Sequence, residues 1–228
     1  ELLLPADWNE STPVVLHFAS TGDEGFSRRR SAIALPLLSR GIGSLILENP
    51  YYGTRRPMGQ IGHSLKQVIG LLQMSRAAAD EALGILDALH AMGLRRLGTT
   101  GISMGGYMAL AAAARYHRPL AVAACIPSHS ATPVYTEGIL GGACDWQALE
   151  RQRQAQPQWG EADPRAKDSR SLLQALLDLS DLRHLPPPKR PDATVIVGAR
   201  ADAYIPNYST TIPHHHWPGS QLRWLRGG

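Results

Sequence analysis

The sequence predicts an α/β protein built on a mostly parallel, doubly wound sheet, with a helical cap inserted before the last two strands. Three observations predict it: short apolar runs alternate with longer stretches of helical spacing, the rhythm breaks between residues 128 and 190, and the strand pattern then resumes. Taken in order, residues 14–19 read as a strand and residues 28–39 as a helix that Gly41 is placed to end. Residues 44–47 form the next strand, closed by Asn49 and Pro50. A long helical pattern runs from about residue 68 to residue 92 and stops at Gly93. Residues 96–101 are a short strand, 105–116 an Ala-rich helix and 120–126 a strand again. The roughly sixty residues that follow are rich in Gln, Arg and Leu and end in Pro186, Pro187 and Pro188; they far exceed an ordinary connection and are expected to form a cap or lid. Residues 193–199 and 221–225 are the last two strands. The chain thus divides into a first core part, residues 1–127, the cap, 128–190, and a last core part, 191–228, with no internal repeat.

Composition excludes several classes. Hydrophobic residues make up 43% of the chain and charged residues 18%, ordinary globular usage. The 22 Gly and 17 Pro are about a sixth of the residues, below the roughly 25–30% at which disorder is the default. The longest apolar run, 104–114, is interrupted by Gly and Tyr and falls short of the roughly 18 residues of a membrane span, so the protein is expected to be soluble or at most membrane-peripheral. The net charge of +4 is scattered in pairs and triplets of Arg, with no block of like charge that suits nucleic acid. Two cysteines are present; Cys125 lies in an apolar run, and both are expected as free thiols in a reducing compartment, the cytoplasm by default. No phosphate-cradling loop, dinucleotide fingerprint or metal-ligand cluster is visible, so no cofactor is expected. The chain opens at Glu1 with no signal-peptide pattern, and its start reads as cut.

Gly101-Ile102-Ser103-Met104-Gly105 is a G-x-S-x-G pattern at a predicted strand-to-helix junction, extended by Gly106. The spacing has a physical reason: the serine occupies a sharp, strained turn, and glycine on either side avoids a clash. The helix that follows aims the Met104 N–H and a partial positive charge at the place where an oxyanion forms. The alternative is a Gly-rich turn that merely packs tightly. A serine needs a base oriented by an acid, and in the α/β-hydrolase arrangement the chain order is Ser, Asp or Glu, then His. Asp202, in the loop after the 193–199 strand, is the candidate acid, with an ordinary surface carboxylate as the alternative. After it the only histidines are His214, His215 and His216, which precede the last strand and are expected in a surface loop; three adjacent side chains diverge too far to chelate one metal. The base is expected after residues 221–225, where the chain stops at Gly228, so the sequence is read as truncated, with the histidine beyond its end and turnover impaired.

Four segments carry a likeness to a known family: Ala19-Ser20-Thr21-Gly22-Asp23 with Arg28, Arg29 and Arg30; Glu48-Asn49-Pro50-Tyr51-Tyr52-Gly53-Thr54-Arg55-Arg56-Pro57; Gly101 to Tyr107; and Pro127 to Leu140. On these the sequence resembles the α/β-hydrolase domain-containing protein 18-like proteins, from about residue 18 to the chain end, with the 49–57 segment the most specific. The resemblance implies an α/β-hydrolase fold acting on an acyl ester, lipid esters included, and a triad of Ser103, Asp202 and a histidine after Gly228. It also suggests that the loop at residues 19–22 supplies the second oxyanion N–H, from Thr21; Ser20 stands where Gly is expected.

Arg55 and Arg56 follow a strand end on the expected catalytic face, where a guanidinium can grip a phosphate or carboxylate; the alternative is salt bridging to Glu48 or Asp23. Arg28, Arg29 and Arg30 open a helix, where cations oppose the dipole, so a partner is expected for them. The leading expectation is a serine hydrolase, esterase or lipase-like, working through an acyl-enzyme on a small-molecule or lipid acyl ester. The rival is a non-catalytic binding or scaffolding module of the same fold, and the same residues would also support acyl transfer to an alcohol or thiol.

Overall fold

Among the described residues seven strands form a single sheet. They are β1 (Leu2–Leu3), β2 (Pro13–Phe18), β3 (Gly43–Ile46), β4 (Arg96–Ile102), β5 (Ala121–Cys125), β6 (Thr194–Ala199) and β7 (Gln221–Leu225). Of these, β2, β3 and β6 are covered on both faces, whereas β5 and β7 keep exposed residues. The computed structural model describes residues 1–156, 158 and 166–227. The order across the sheet is β1-β3-β2-β4-β5-β6-β7; β1 is antiparallel to β3 and every other neighbouring pair is parallel. At two residues, β1 is too short to show a period in the sequence and was not expected.

The strand order decides where a site can form. From β2 the chain moves outward to β3 on one side, then returns to place β4 on the other side of β2. Such a reversal opens a crevice beyond the carboxyl ends of the two strands. The β2–β4 register sets Phe18 opposite Gly101. The loop leaving β2 and the turn leaving β4 therefore lie side by side.

The helices follow their apolar faces. The long helix α3 (Val68–Ala91) buries Gly70, Met74, Ala78, Ala82, Leu86 and Leu89, one stripe at three- and four-residue spacing, and ends where Gly93 takes φ +98°. The helix after β4, α4 (Met104–Arg115), buries nearly every side chain because its Ala run lets it lie close to both the sheet and α3. Large side chains such as Leu16, Phe18, Met74, Leu86 and Met108 are fully buried, each worth roughly 1.5–3 kcal/mol in removal from water.

The expected helix over 28–39 is broken into three. A short α1 (Ser27–Arg29) leads into a π-helical turn (Arg30–Ala34) and then α2 (Leu35–Leu38). Pro36 has no N–H to return to the Ala32 carbonyl, and the wide turn precedes it.

Between β5 and β6 the chain is helical: α5 (Thr132–Thr136), α6 (Trp146–Ala155) and α7 (Ser169–Leu177), with 3₁₀ turns among them. Asp168 caps α7 in a reciprocal box with Ser171. Of the expected cap, residues 157 and 159–165 lie outside the described residues. Before β7 stands α8 (Asn207–His216). His214, His215 and His216 are therefore the last turn of a helix, correcting the expected surface loop; cations are favourable at that end of the dipole. His214 pairs with the Ser220 hydroxyl at 3.0 Å, and His216 Nε2 lies 3.0 Å from the Leu185 carbonyl. Both cysteines are free. Among the described residues no helix is long and apolar enough to cross a membrane.

Candidate active site

Ser103 joins β4 to α4 with φ +56° and ψ −119°, a conformation that a residue with a side chain rarely adopts. The glycines around it explain how the turn closes. A Cβ on Gly101 would strike the Gly105 backbone. One on Gly105 would come within 2.7 Å of the Phe18 carbonyl oxygen and 2.9 Å of that of Ala19, and one on Gly106 within 2.9 Å of the Cys125 carbonyl oxygen. The turn is thus wedged between the ends of β2 and β5. The Ser103 N–H donates to the Cys125 carbonyl at 2.9 Å, and the Ser103 carbonyl accepts from Tyr107 N–H at 3.0 Å as α4 begins.

Ser103, Met104, Thr21 and Asp202 all line one cavity of about 400 Å³. Its walls are mostly apolar: Leu71 and Leu72 come from α3, Ile126 from the end of β5, Val134 from α5, Leu140 from the 3₁₀ turn after it, and Ile205 from the loop after β6. Ile126 is strained as well, with φ +43° at a β-branched residue. The phenols of Tyr107 and Tyr135 are pushed up to about 12 by burial, so both stay neutral donors or acceptors. Tyr107 spends its hydrogen on the Ser180 carbonyl at 2.8 Å, which ties α4 to the turn that follows α7.

Asp202 sits half-buried in the loop after β6. Its Oδ1 accepts from the N–H groups of Tyr204 (2.8 Å) and Ile205 (3.1 Å), a local turn that fixes the carboxylate. Oδ2 has no hydrogen-bond partner among the described residues. The segment after β5 is fastened to this same loop: the Ile139 N–H donates to the Ala203 carbonyl at 3.3 Å, and the Tyr208 hydroxyl donates to Glu137 at 2.7 Å. A side chain on Gly138 would collide with the Tyr204 carbonyl.

The Thr21 hydroxyl reaches the Met104 sulfur at 3.8 Å, so the two residues proposed to supply oxyanion N–H groups are neighbours. None of the nine histidines lines the cavity. Arg55 and Arg56 are not brought to it either. Arg55 donates to Glu81 (2.7 Å) and to the Glu48 carbonyl (2.8 Å), and Arg56 pairs with Glu24 at 3.1 Å. Their ion-pair partners are not the Glu48 or Asp23 carboxylates named from the sequence. Asp23 pairs instead with Arg29, at 2.9 Å.

Sequence reasoning missed a buried polar group beside the cavity wall. Ser209 of α8 lies 2.7 Å from both the His129 Nδ1 and the Ser128 hydroxyl, and it accepts from the His129 N–H at 3.1 Å. Burial holds the His129 imidazole below its ordinary pKa. This group anchors the segment that leaves β5, where Ser128 and Ser130 line the cavity; the Ser-His-Ser run after β5 was its only signal in the sequence. Among the described residues no group of His, Cys, Asp and Glu could hold a metal ion.

The family model for alpha/beta hydrolase domain containing 18 matches residues 1–228. The chain belongs to that family. As a member of the alpha/beta hydrolase domain containing 18 family, this chain has the fold expected from the serine turn, and solved structures agree. An acetyl xylan esterase from Paenibacillus sp. R4 superposes with a TM-score of 0.67 at 16% identity, covering 99% of this chain and 72% of that one. Acetyl xylan esterase 1 from Thermoanaerobacterium sp. JW/SL YS485 gives 0.62 at 15%, covering 98% and 71%. An acylaminoacyl peptidase from Pyrococcus horikoshii gives 0.59 at 16%, covering all of this chain and 34% of its own. At such identities the likeness is one of fold: this is an α/β-hydrolase fold with a mostly parallel seven-stranded sheet.

Proposed function

We propose that this chain is a serine hydrolase that cleaves an acyl ester through an acyl-enzyme. The observation that carries the reading is the strained Ser103 turn, opening onto a cavity that Thr21, Met104 and Asp202 also line. In the proposed reaction Ser103 Oγ would bond to the acyl carbon while its proton passes to a base that Asp202 would orient, a role for which this chain brings no imidazole to the cavity. The oxyanion so formed accepts hydrogen bonds from the Met104 and Thr21 N–H groups; the alcohol leaves with the proton, and water then releases the acid by the same steps. Neither N–H is taken by another group among the described residues, which supports the assignment. The apolar walls suit an acyl chain. The esterases among the similar folds support ester cleavage as the class of chemistry.

The rival, a binding module of the same fold, is favoured by one observation: no histidine of this chain reaches the cavity. Labelling with a fluorophosphonate separates the two. Covalent labelling of the whole protein that disappears in Ser103→Ala is the expected result; a folded protein that stays unlabelled would leave the binding module as the better reading.

A further inference from the structure

Two segments that stood out in the sequence but stay away from the cavity, the 49–57 motif and the Arg28, Arg29, Arg30 triplet, converge behind the turn that carries Thr21. That turn spans residues 20–23, closed by the Asp23 N–H donating to the Ser20 carbonyl at 3.1 Å. Gly22 has φ +76°, as the third position of a type II turn requires. The Gly22 N–H donates to the hydroxyl of buried Tyr52 at 3.2 Å. Next along the chain, the Asp23 carboxylate pairs with the Arg29 guanidinium at 2.9 Å, with both side chains about 5% exposed. Arg29 also donates to the carbonyls of Leu47 (2.6 Å), Gly25 (2.8 Å) and His17 (3.1 Å), so one planar group joins the ends of β2 and β3 to the turn. The Gly25 N–H donates to Glu48 Oε2 at 2.7 Å, and Gly53, at φ +51°, leaves the room that this carboxylate fills.

We propose that Arg29 and Tyr52 are positioning residues that fix the 20–23 turn beside Ser103 and with it the Thr21 backbone assigned to the oxyanion. The inference rests on the serine-hydrolase reading above. Type I and type II turns differ by rotation of their central peptide, here the one between Thr21 and Gly22. The Tyr52 hydroxyl accepts from that peptide's N–H and opposes the rotation, while Arg29 holds the Asp23 end. Neither residue lines the cavity, so neither touches substrate. The most family-specific motif thus serves the loop behind the reaction.

The test compares Tyr52→Phe and Arg29→Lys with the wild type and Ser103→Ala in the whole protein. Three quantities are read: the rate of fluorophosphonate labelling, kcat and KM for p-nitrophenyl butyrate, and the melting temperature. Tyr52→Phe keeps the ring and loses the acceptor; kcat and labelling rate are expected to fall roughly tenfold to a hundredfold, with KM changed by less than about twofold. Arg29→Lys keeps the charge but loses the planar fork, and should lower kcat further along with melting temperature. The proposal is overturned by a Tyr52→Phe kcat within about twofold of wild type, or by a loss that only follows the folded fraction. If the wild type labels at Ser103 and Tyr52→Phe is unaffected, the clamp alone is wrong. If the wild type does not label, the serine-hydrolase reading is lost and the clamp's role with it.

Discussion

Two turns meet at the cavity, residues 101–106 after β4 and residues 20–23 after β2, and they are held in unlike ways. The serine turn is shaped by its own glycines, packed against backbone a few ångströms away, and its geometry follows from six consecutive residues on a parallel strand. The 20–23 turn has one glycine, Gly22, which faces the His63 side chain instead of backbone. It depends on Arg29, Tyr52 and Glu48, which arrive from other parts of the chain. One site can therefore combine a turn whose small residues are written consecutively in the sequence with a turn held by side chains from distant segments, both seated on the formed sheet. The same contrast separates the arginines: Arg29 is buried with four partners, whereas Arg55 and Arg56 are exposed.

Ser103→Ala is the sharpest cut. It should lower ester turnover by roughly a thousandfold or more while leaving the melting temperature unchanged or slightly raised, since the proposed nucleophile goes and the packing stays. Arg29→Met attacks the other turn and should act on stability first. It leaves Asp23 buried and unpaired, at a cost of about 3–5 kcal/mol measurable by urea unfolding. Gly105→Ala should cost about 1–3 kcal/mol or more, because the backbone carbonyls of Phe18 and Ala19 cannot give way; equal stability would mean that the serine turn is looser than its contacts imply.

Acid probes the floor beneath the 20–23 turn. His17 on β2 is neutral in the folded protein, its pKa driven down to about 4 by burial and then by Arg29. In the unfolded chain its pKa returns to about 6.5, so on acidification the unfolded state takes the proton first. Stability from this group is complete above pH 6.5 and is lost as pH falls from 6.5 to 4. His129, also lowered by burial, acts in the same direction. The melting temperature should decline over that window, and less steeply in His17→Gln. The smallest effect is expected from Arg56→Ala, which removes an exposed pair with Glu24 and should change stability by about 0–1 kcal/mol. A large loss there would erase the distinction between buried and exposed arginines.

The sequence by itself determined the parallel sheet, the long α3 and the serine turn, because these rest on short-range signals. Apolar runs alternate with helical spacing, Gly93 stops a helix, and glycines flank Ser103 at fixed offsets. The position of Asp202 just after β6 was legible for a related reason, since it follows a strand whose place in the order was already clear. The broken first helix and the two-residue β1 were not legible, as the one depends on a local widening before Pro36 and the other on pairing with β3. Nor was the part played by the arginines, because the sequence shows three of them at a helix start and two after a strand with equal weight. Only the tertiary structure decided that Arg29 turns inward to Asp23 and three carbonyls, while Arg55 and Arg56 turn outward to Glu81 and Glu24. The physical reason is that a charge's role is set by which carboxylates and carbonyls surround it after folding, and those come from segments far apart in the chain.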